Sequence, residues 1–338
     1  MALSSSASTS SPQPQQPQTS FGFTTTGDEV VSAFADRVKG KTILLTGPTP
    51  QSLGASTALS LARASPTHLL LLGRSETKTL PLLTTLRTNH PTVQTTFIPM
   101  DLSSQTSVRA AVAEIKALVS KIDILINNAA VMACPFQMAE GWGGDGHFLL
   151  VGLLERAGLL ATNEENGKET TRVVCVSSTG HLVGSGIRYE DWNFGQGKVY
   201  EPWEAYGQSK MANLVFARAL AKRWRGKKGV AAFSCHPGSI ASNLQKHVTP
   251  SEIARQRAVY QNLAREAGTE HIWIEGRKTL EQGCATTLVA ALDPSLEPYS
   301  GAYLKNCRIA AKENVREVGE GEEERLWELS ERLVGEKF

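Results

Sequence analysis

The sequence predicts a doubly wound α/β domain, a parallel sheet covered by helices on both faces. Three observations predict it. Strand-sized apolar runs alternate with helical repeats along the chain. The runs are continuous rather than alternating, the pattern of strands buried on both faces. With 338 residues and 41% hydrophobic content, the chain can fill one large core.

The elements follow in order. Residues 1–21 form a Ser/Gln/Pro-rich tail with no charged side chain. Its few apolar groups cannot offset the entropy of ordering, so it is expected to be disordered. It has neither the apolar core of a signal peptide nor the arginines of a presequence. The domain is expected over 22–338. "GDEVVSAFADRVKGK" suits a short lead-in helix, and "TILLTG" at 42–47 a buried strand. "LGASTALSLARAS" repeats small and apolar residues at helical spacing. "THLLLLGRS" and "QTTFIPMDL" are the second and third strands. "SQTSVRAAVAEIKALVSK" is an amphipathic helix opened by Ser and Thr caps. "IDILINNAA" (122–130) and "RVVCVSS" (172–178) are the fourth and fifth strands. "EAYGQSKMANLVFARALAKRW" is a long helix, "GVAAFSCHPG" a sixth strand, "KTLEQGCATTLVAAL" a helix and "GAYL" a short seventh strand.

Composition narrows the function classes. A net charge of +2 with no basic cluster excludes nucleic acid as an expected partner. No apolar run reaches membrane-spanning length. Five widely spaced cysteines without a CxxC pair suit free thiols in a reducing compartment, so a cytoplasmic location is expected. His181, His236 and His271 lack metal-ligand spacing and are read as loop or core histidines, with no metal expected.

In such a sheet, ligands bind beyond the C-terminal strand ends. "LLTGPTPQSLGAS" joins the first strand to the first long helix, where free N–H groups attract a pyrophosphate. Gly47 makes the turn, Gly54 the close packing, and Ser52, before Leu53, stands where a middle glycine is usual. An ordinary βα turn begins the same way. After the second strand, Arg74 suits a 2′-phosphate and hence NADP rather than NAD, or is simply solvated. Asp101 can accept from an adenine amino group with Leu102 over the ring, or act only as a helix cap. Asn128 can serve a cofactor or pin neighbouring strands, and Ala129 and Ala130 leave room for a ring. Pro237 and Gly238 turn the chain after the sixth strand, so that Ile240 and Ser242 can face a nicotinamide and its phosphate. Tyr206 and Lys210 lie four apart on one helix face. An ammonium near a phenol lowers its pKa, letting Tyr206 exchange a proton with an alcohol or ketone oxygen. Ser178, at a strand end, can orient that oxygen. Singly, each pattern also fits a solvated face or a plain strand end.

Taken together, TG…LG, NNA, the strand-end Ser, YxxxK and PG…S occur in the order of the short-chain dehydrogenase/reductase family. The chain resembles that family, with its Rossmann-like fold, over 22–338. "VMACP", "VSSTGH", "EDWNF" and "SKMANLVFARAL" resemble the retinol-dehydrogenase-like and WW-domain-oxidoreductase-like branch, without a WW domain. The resemblance implies NADP(H)-dependent oxidation or reduction of a lipophilic carbonyl/alcohol substrate, with Ser178, Tyr206 and Lys210 catalytic. It also makes a homodimer through long helices one expected state. Substrate walls are expected from 131–140, from the loop 182–203 with Trp192, Phe194 and Trp203, and from 245–275. One departure stands out. The family's proton-relay asparagine falls on Gly143, and about six residues before it are absent. This is roughly 9 Å of helix axis. A catalytically impaired member that binds cofactor or a partner is therefore the alternative expectation.

Overall fold

In a computed structural model of the chain, the structure describes residues 20–137, 146–160, 171–245, 248–266 and 276–338. Residues 1–19 of the tail and the segment around Gly143 lie outside the described residues. Phe21 already packs: its ring meets Phe34 edge-on at 5.9 Å and its carbonyl accepts from Arg308 Nε.

The lead-in helix α1 (Gly27–Ala33) starts with a capping box between Thr26 and Glu29. Strand β1 (Thr42–Thr46) leads to helix α2 (Leu53–Ala62), and β2 (His68–Gly73) to α3 (Glu76–Asn89). Strand β3 (Gln94–Pro99) leads to α4 (Gln105–Leu118), and β4 (Ile124–Asn127) precedes α5 (Gly146–Arg156). Strand β5 (Thr171–Val176) precedes the 27-residue α6 (Pro202–Lys228), which ends on left-handed Gly229. After β6 (Val230–His236) come β7 (Ser239–Ile240), α7 (Pro250–Glu266), β8 (Arg277–Lys278) and α8 (Leu280–Leu292). The chain closes with β9 (Tyr303–Lys305), β10 (Arg308–Ile309) and α9 (Glu322–Val334).

Among the described residues, eight strands form one sheet in the order β10-β9-β6-β5-β4-β1-β2-β3. Neighbours are parallel except β9 and β10, a hairpin whose turn residues Asn306 and Cys307 both have positive φ. The order reverses between β1 and β4, so the crevice of this sheet opens beside Thr46 and Asn128. Successive side chains of β5 show the double burial: Val173 and Cys175 enter one core, Val174 and Val176 the other. The first core lies under α4, α5, α6 and α9, the second under α1, α2, α3 and α8.

Helices α3 and α9 lie where the sequence pattern predicts no helix. Helix α3 is threonine-rich and contains Pro81, and its buried face is little more than Leu82, Leu83 and Leu86. Helix α9 packs across α6, with Trp327 set between Phe148, Phe216 and Trp224. All five cysteines are free, four of them buried.

Candidate active site

The strand ends bring the motif residues to one edge of the sheet. Gly47 turns with φ +74°, and a Cβ there would stand 2.9 Å from Ala129 Cα. Gly54 lies so close that a Cβ would meet the Gly47 carbonyl oxygen at 2.5 Å, so neither position admits a side chain without moving backbone. Ser52 is the N-cap of α2, accepting from Ala55 N at 3.2 Å. Leu53 and Gly54 begin the helix, where geometry leaves N–H groups without intrahelical partners. Leu53 and Ile240 pack together over Gly283. Asn128 donates through Nδ2 to the carbonyls of Thr46 (2.8 Å) and Gly47 (3.4 Å), so of its two readings the structure shows the strand-pinning one.

Arg74 is exposed just past β2. Burial works to raise the nearby Asp101 carboxyl, but two hydrogen bonds from Ser103 and the Arg74 charge hold it below its ordinary value. Leu102 is half-buried, and its carbonyl leaves no space for a Cβ at Gly146, the first residue of α5. Gly238, after Pro237, has φ +103°. Ser242 accepts from Leu244 N, and its neighbour Asn243 donates to Pro50 O in the glycine turn. The segment after β6 is thus tied to the loop after β1.

Ser178, Tyr206 and Lys210 are brought together. Tyr206 is buried and hydrogen-bonded with Ser178. The Lys210 ammonium stands 5.5 Å from the Tyr206 ring centroid and donates to Val176 O at 3.1 Å. Burial pushes the Tyr206 phenol up to about 12, the Ser178 bond opposing and Tyr260 adding to the rise. Burial brings Lys210 down to about 8. The expected lowering of the phenol by the ammonium is therefore not what the structure shows. The lysine is directed to a backbone carbonyl, and desolvation of the phenolate dominates. A phenol held protonated at neutral pH suits proton donation to a carbonyl oxygen.

The walls are apolar. Met132, Ala133, Val183 and Trp203 cluster with Tyr206, and Leu244, Val248, Val259 and Tyr260 close over them. Trp203 meets Tyr206 edge-on at 6.1 Å and donates to Glu252 on α7 at 2.6 Å. Of the three aromatics expected from the loop 182–203, only Trp203 reaches this cluster. Trp192 packs against the core under α6, and Phe194 is buried beside Tyr200 and Arg188. His271 lies outside the described residues. No group of three or more His, Cys, Asp or Glu among the described residues could hold a metal ion.

Two histidines lie beside the site: His147, to which the sequence assigns no role, and His181, which sits in the core as expected. Thr46 Oγ1 accepts from the N–H groups of Asn128 (3.0 Å) and Ala129 (2.9 Å), so its own proton goes to His147 Nε2 at 2.9 Å. Burial and the Lys210 charge bring His147 down to about 3. His181 is fully buried, which brings it down to about 4. No spacing or motif in the sequence points to either of these contacts. Both values lie below the ordinary 6.5, so the unfolded chain takes up these protons first as pH falls. Stability is expected to be full above pH 6.5 and to decline through pH 4.5, by roughly 2–3 kcal/mol for each ring. Urea unfolding across this range should show the decline, and a flatter profile for His181→Asn. An equal slope in both proteins would remove His181 as a contributor.

The comparisons with known proteins agree with this geometry. A profile of the family described as short chain dehydrogenase matches residues 41–185. Retinol dehydrogenase 12 of Mus musculus is 36% identical over 311 residues, covering 88% of this chain and 88% of its own. The crystal structure of an uncharacterized protein from Mycobacterium Paratuberculosis is similar with a TM-score of 0.62 at 28% identity, covering 89% of this chain and 95% of that one. The NADPH-bound carbonyl reductase from chicken fatty liver, at 18% identity and a TM-score of 0.54, shares the fold over 79% of this chain and 96% of its own. The chain belongs to the short-chain dehydrogenase/reductase family. Within it, this oxidoreductase falls in the retinol-dehydrogenase-like branch. No helix among the described residues is long and apolar enough to cross a membrane.

Proposed function

We propose that the protein reduces the carbonyl group of lipophilic small molecules with NADPH, Tyr206 giving its proton to the carbonyl oxygen. The observation that carries this reading is a buried, protonated Tyr206 that meets Ser178 inside an apolar wall. The residues fit a nicotinamide dinucleotide: Gly47 and Gly54 keep the turn free of side chains, the first turn of α2 offers N–H groups, and Ala129 leaves a small surface beside them. When bound, the cofactor supplies hydride to the carbonyl carbon. Ser178 holds the carbonyl oxygen, and Lys210 keeps a positive charge behind Tyr206. Asp101 and Leu102 serve the adenine, Ile240 and Ser242 the nicotinamide side. The apolar residues around Trp203 select the lipophilic body of the substrate. NADPH consumption with a panel of aromatic aldehydes and ketones tests the reading. No turnover with any of them would overturn it. The impaired-member alternative has no described residue in its favour, since the segment around Gly143 lies outside the described residues.

NADPH rather than NADH is proposed because Arg74 is exposed beyond β2, where it can pair with a 2′-phosphate. Losing a charge-assisted bond costs roughly 1.5–3 kcal/mol. Arg74→Asp is expected to weaken NADPH by that amount and leave NADH nearly unchanged, as read by calorimetric titration. Equal affinity of the parent protein for both cofactors would overturn the assignment.

A further inference from the structure

The loop carrying Ser178 is held by more than its own turn. Ser178 caps the 3₁₀ turn Thr179–Leu182, its Oγ accepting from Gly180 N at 3.0 Å. A Cβ at Gly180 would come within 2.7 Å of Tyr206 Cε1, so the loop lies against the phenol ring with no slack. His181 fixes the loop from behind. Its Nε2 accepts the backbone N–H of Arg316 at 3.2 Å. A backbone amide can only donate, so this ring nitrogen carries no proton. The proton of the neutral imidazole is therefore on Nδ1, and it is given to Ser178 O at 2.6 Å. The guanidinium of the same Arg316 donates to the carbonyls of His181 (3.2 Å), Leu182 (2.8 Å) and Gly184 (2.6 Å). The groups that face His181 are Ser178, His236 of β6, Tyr303 and Lys305 of β9, and Arg316. None of these is a carboxylate: only the Ser178 carbonyl favours an imidazolium, and burial with the charges of His236, Arg316 and Lys305 outweighs it.

We infer that His181 and Arg316 are positioning residues that hold the Ser178 hydroxyl in register with Tyr206 and the substrate oxygen. The inference rests on the reductase reading of Ser178 and Tyr206. Its physical basis is that these bonds land on the carbonyl of Ser178 itself and on those of His181, Leu182 and Gly184 in the same loop, not on the sheet. Release of the clasp lets the loop drift from Tyr206. A misplacement of about 1 Å can slow a reaction by about 10²-fold. The ring must be neutral with Nδ1–H, because a proton on Nε2 would oppose the Arg316 N–H.

The experiment uses the full chain with NADPH and 4-nitrobenzaldehyde, and compares Arg316→Met, His181→Gln and His181→Asn. Asparagine can place an N–H where Nδ1 stands, whereas glutamine reaches only the Nε2 place. Arg316→Met and His181→Gln are expected to lower kcat by roughly 10- to 10²-fold with NADPH affinity unchanged. The primary isotope effect with NADPH deuterated at the transferred C4 position should rise as chemistry slows relative to release. His181→Asn should recover most of the rate. A purely structural role would lower the folded fraction and leave the isotope effect where it was, which would overturn the inference. Nitrogen-15 histidine spectra at pH 7, assigned by difference with His181→Asn, should show the neutral Nδ1–H tautomer. An Nε2–H or cationic ring would overturn the inference without recourse to activity. Tyr206→Phe, run in parallel, separates the two readings. If Tyr206→Phe is inactive while both clasp variants keep kcat and isotope effect, the clasp alone fails. If Tyr206→Phe keeps the parent rate, the assignment of Tyr206 as proton donor fails, and the spectra still decide the clasp geometry.

Discussion

Tyr206→Phe is expected to reduce NADPH-dependent carbonyl turnover by about 10²–10⁴-fold, the range of general acid–base contributions. The ring stays, so the edge-on contact with Trp203 and the cluster around Met132 should persist. What goes is the O–H that meets the Ser178 side chain, the proposed proton donor. Its loss also removes one buried hydrogen bond, worth about 1 kcal/mol, so the variant should melt only slightly lower. NADPH affinity should change little. Burial keeps the phenol near 12, so this donor remains protonated throughout the neutral range and should impose no alkaline fall in reduction there. Steady-state rates with a ketone, cofactor titration and thermal melts check all three statements. A variant that retained most of the rate would remove Tyr206 as the proton donor.

Lys210→Met is expected to abolish turnover and yet stabilise the fold. Lys210 is only 4% exposed and its ammonium is brought down to about 8 by burial, so the protein holds a charge that its surroundings disfavour. The unfolded chain keeps this proton up to the ordinary 10.5. Between the two values the unfolded state binds more protons, so stability of the parent rises with pH from about 8 to 10.5. Below pH 8 the penalty is present in full, and methionine should relieve roughly 3 kcal/mol of it. Above pH 10.5 the advantage should vanish. The substitution leaves Val176 O with a donor, Asn213 Nδ2 at 3.0 Å. Denaturant unfolding at pH 7 and pH 10.5 reads the effect. A methionine variant less stable than the parent at pH 7 would show that the ammonium is satisfied by its setting.

The strands were legible because a doubly covered strand is written as an unbroken apolar run, as "ILIN" and "RVVCV" show. Tyr206 and Lys210 were legible because helical spacing fixes their common face. Helix α3 was not, since threonines and Pro81 blur its narrow stripe. Helix α9 could have been read: three glutamates open it, and Leu326, Trp327, Leu329 and Val334 form one buried face. The roles of His147 and His181 could not. A tautomer depends on which donor or acceptor the fold sets opposite each ring nitrogen, and for His181 that donor comes from a distant part of the chain.

That distance sets an order of events at the ribosome. The clasp on the Ser178 loop joins residues separated by 132 to 135 positions. At about 5–20 residues per second, translation delivers Arg316 roughly 7–27 s after the loop it holds. Strands β1 to β6 can already pair in that interval, while Ser178 waits with its backbone unbraced. A nascent chain halted before Arg316 would therefore carry the sheet and the catalytic helix without a fixed hydroxyl between them, so catalytic competence arrives after the architecture.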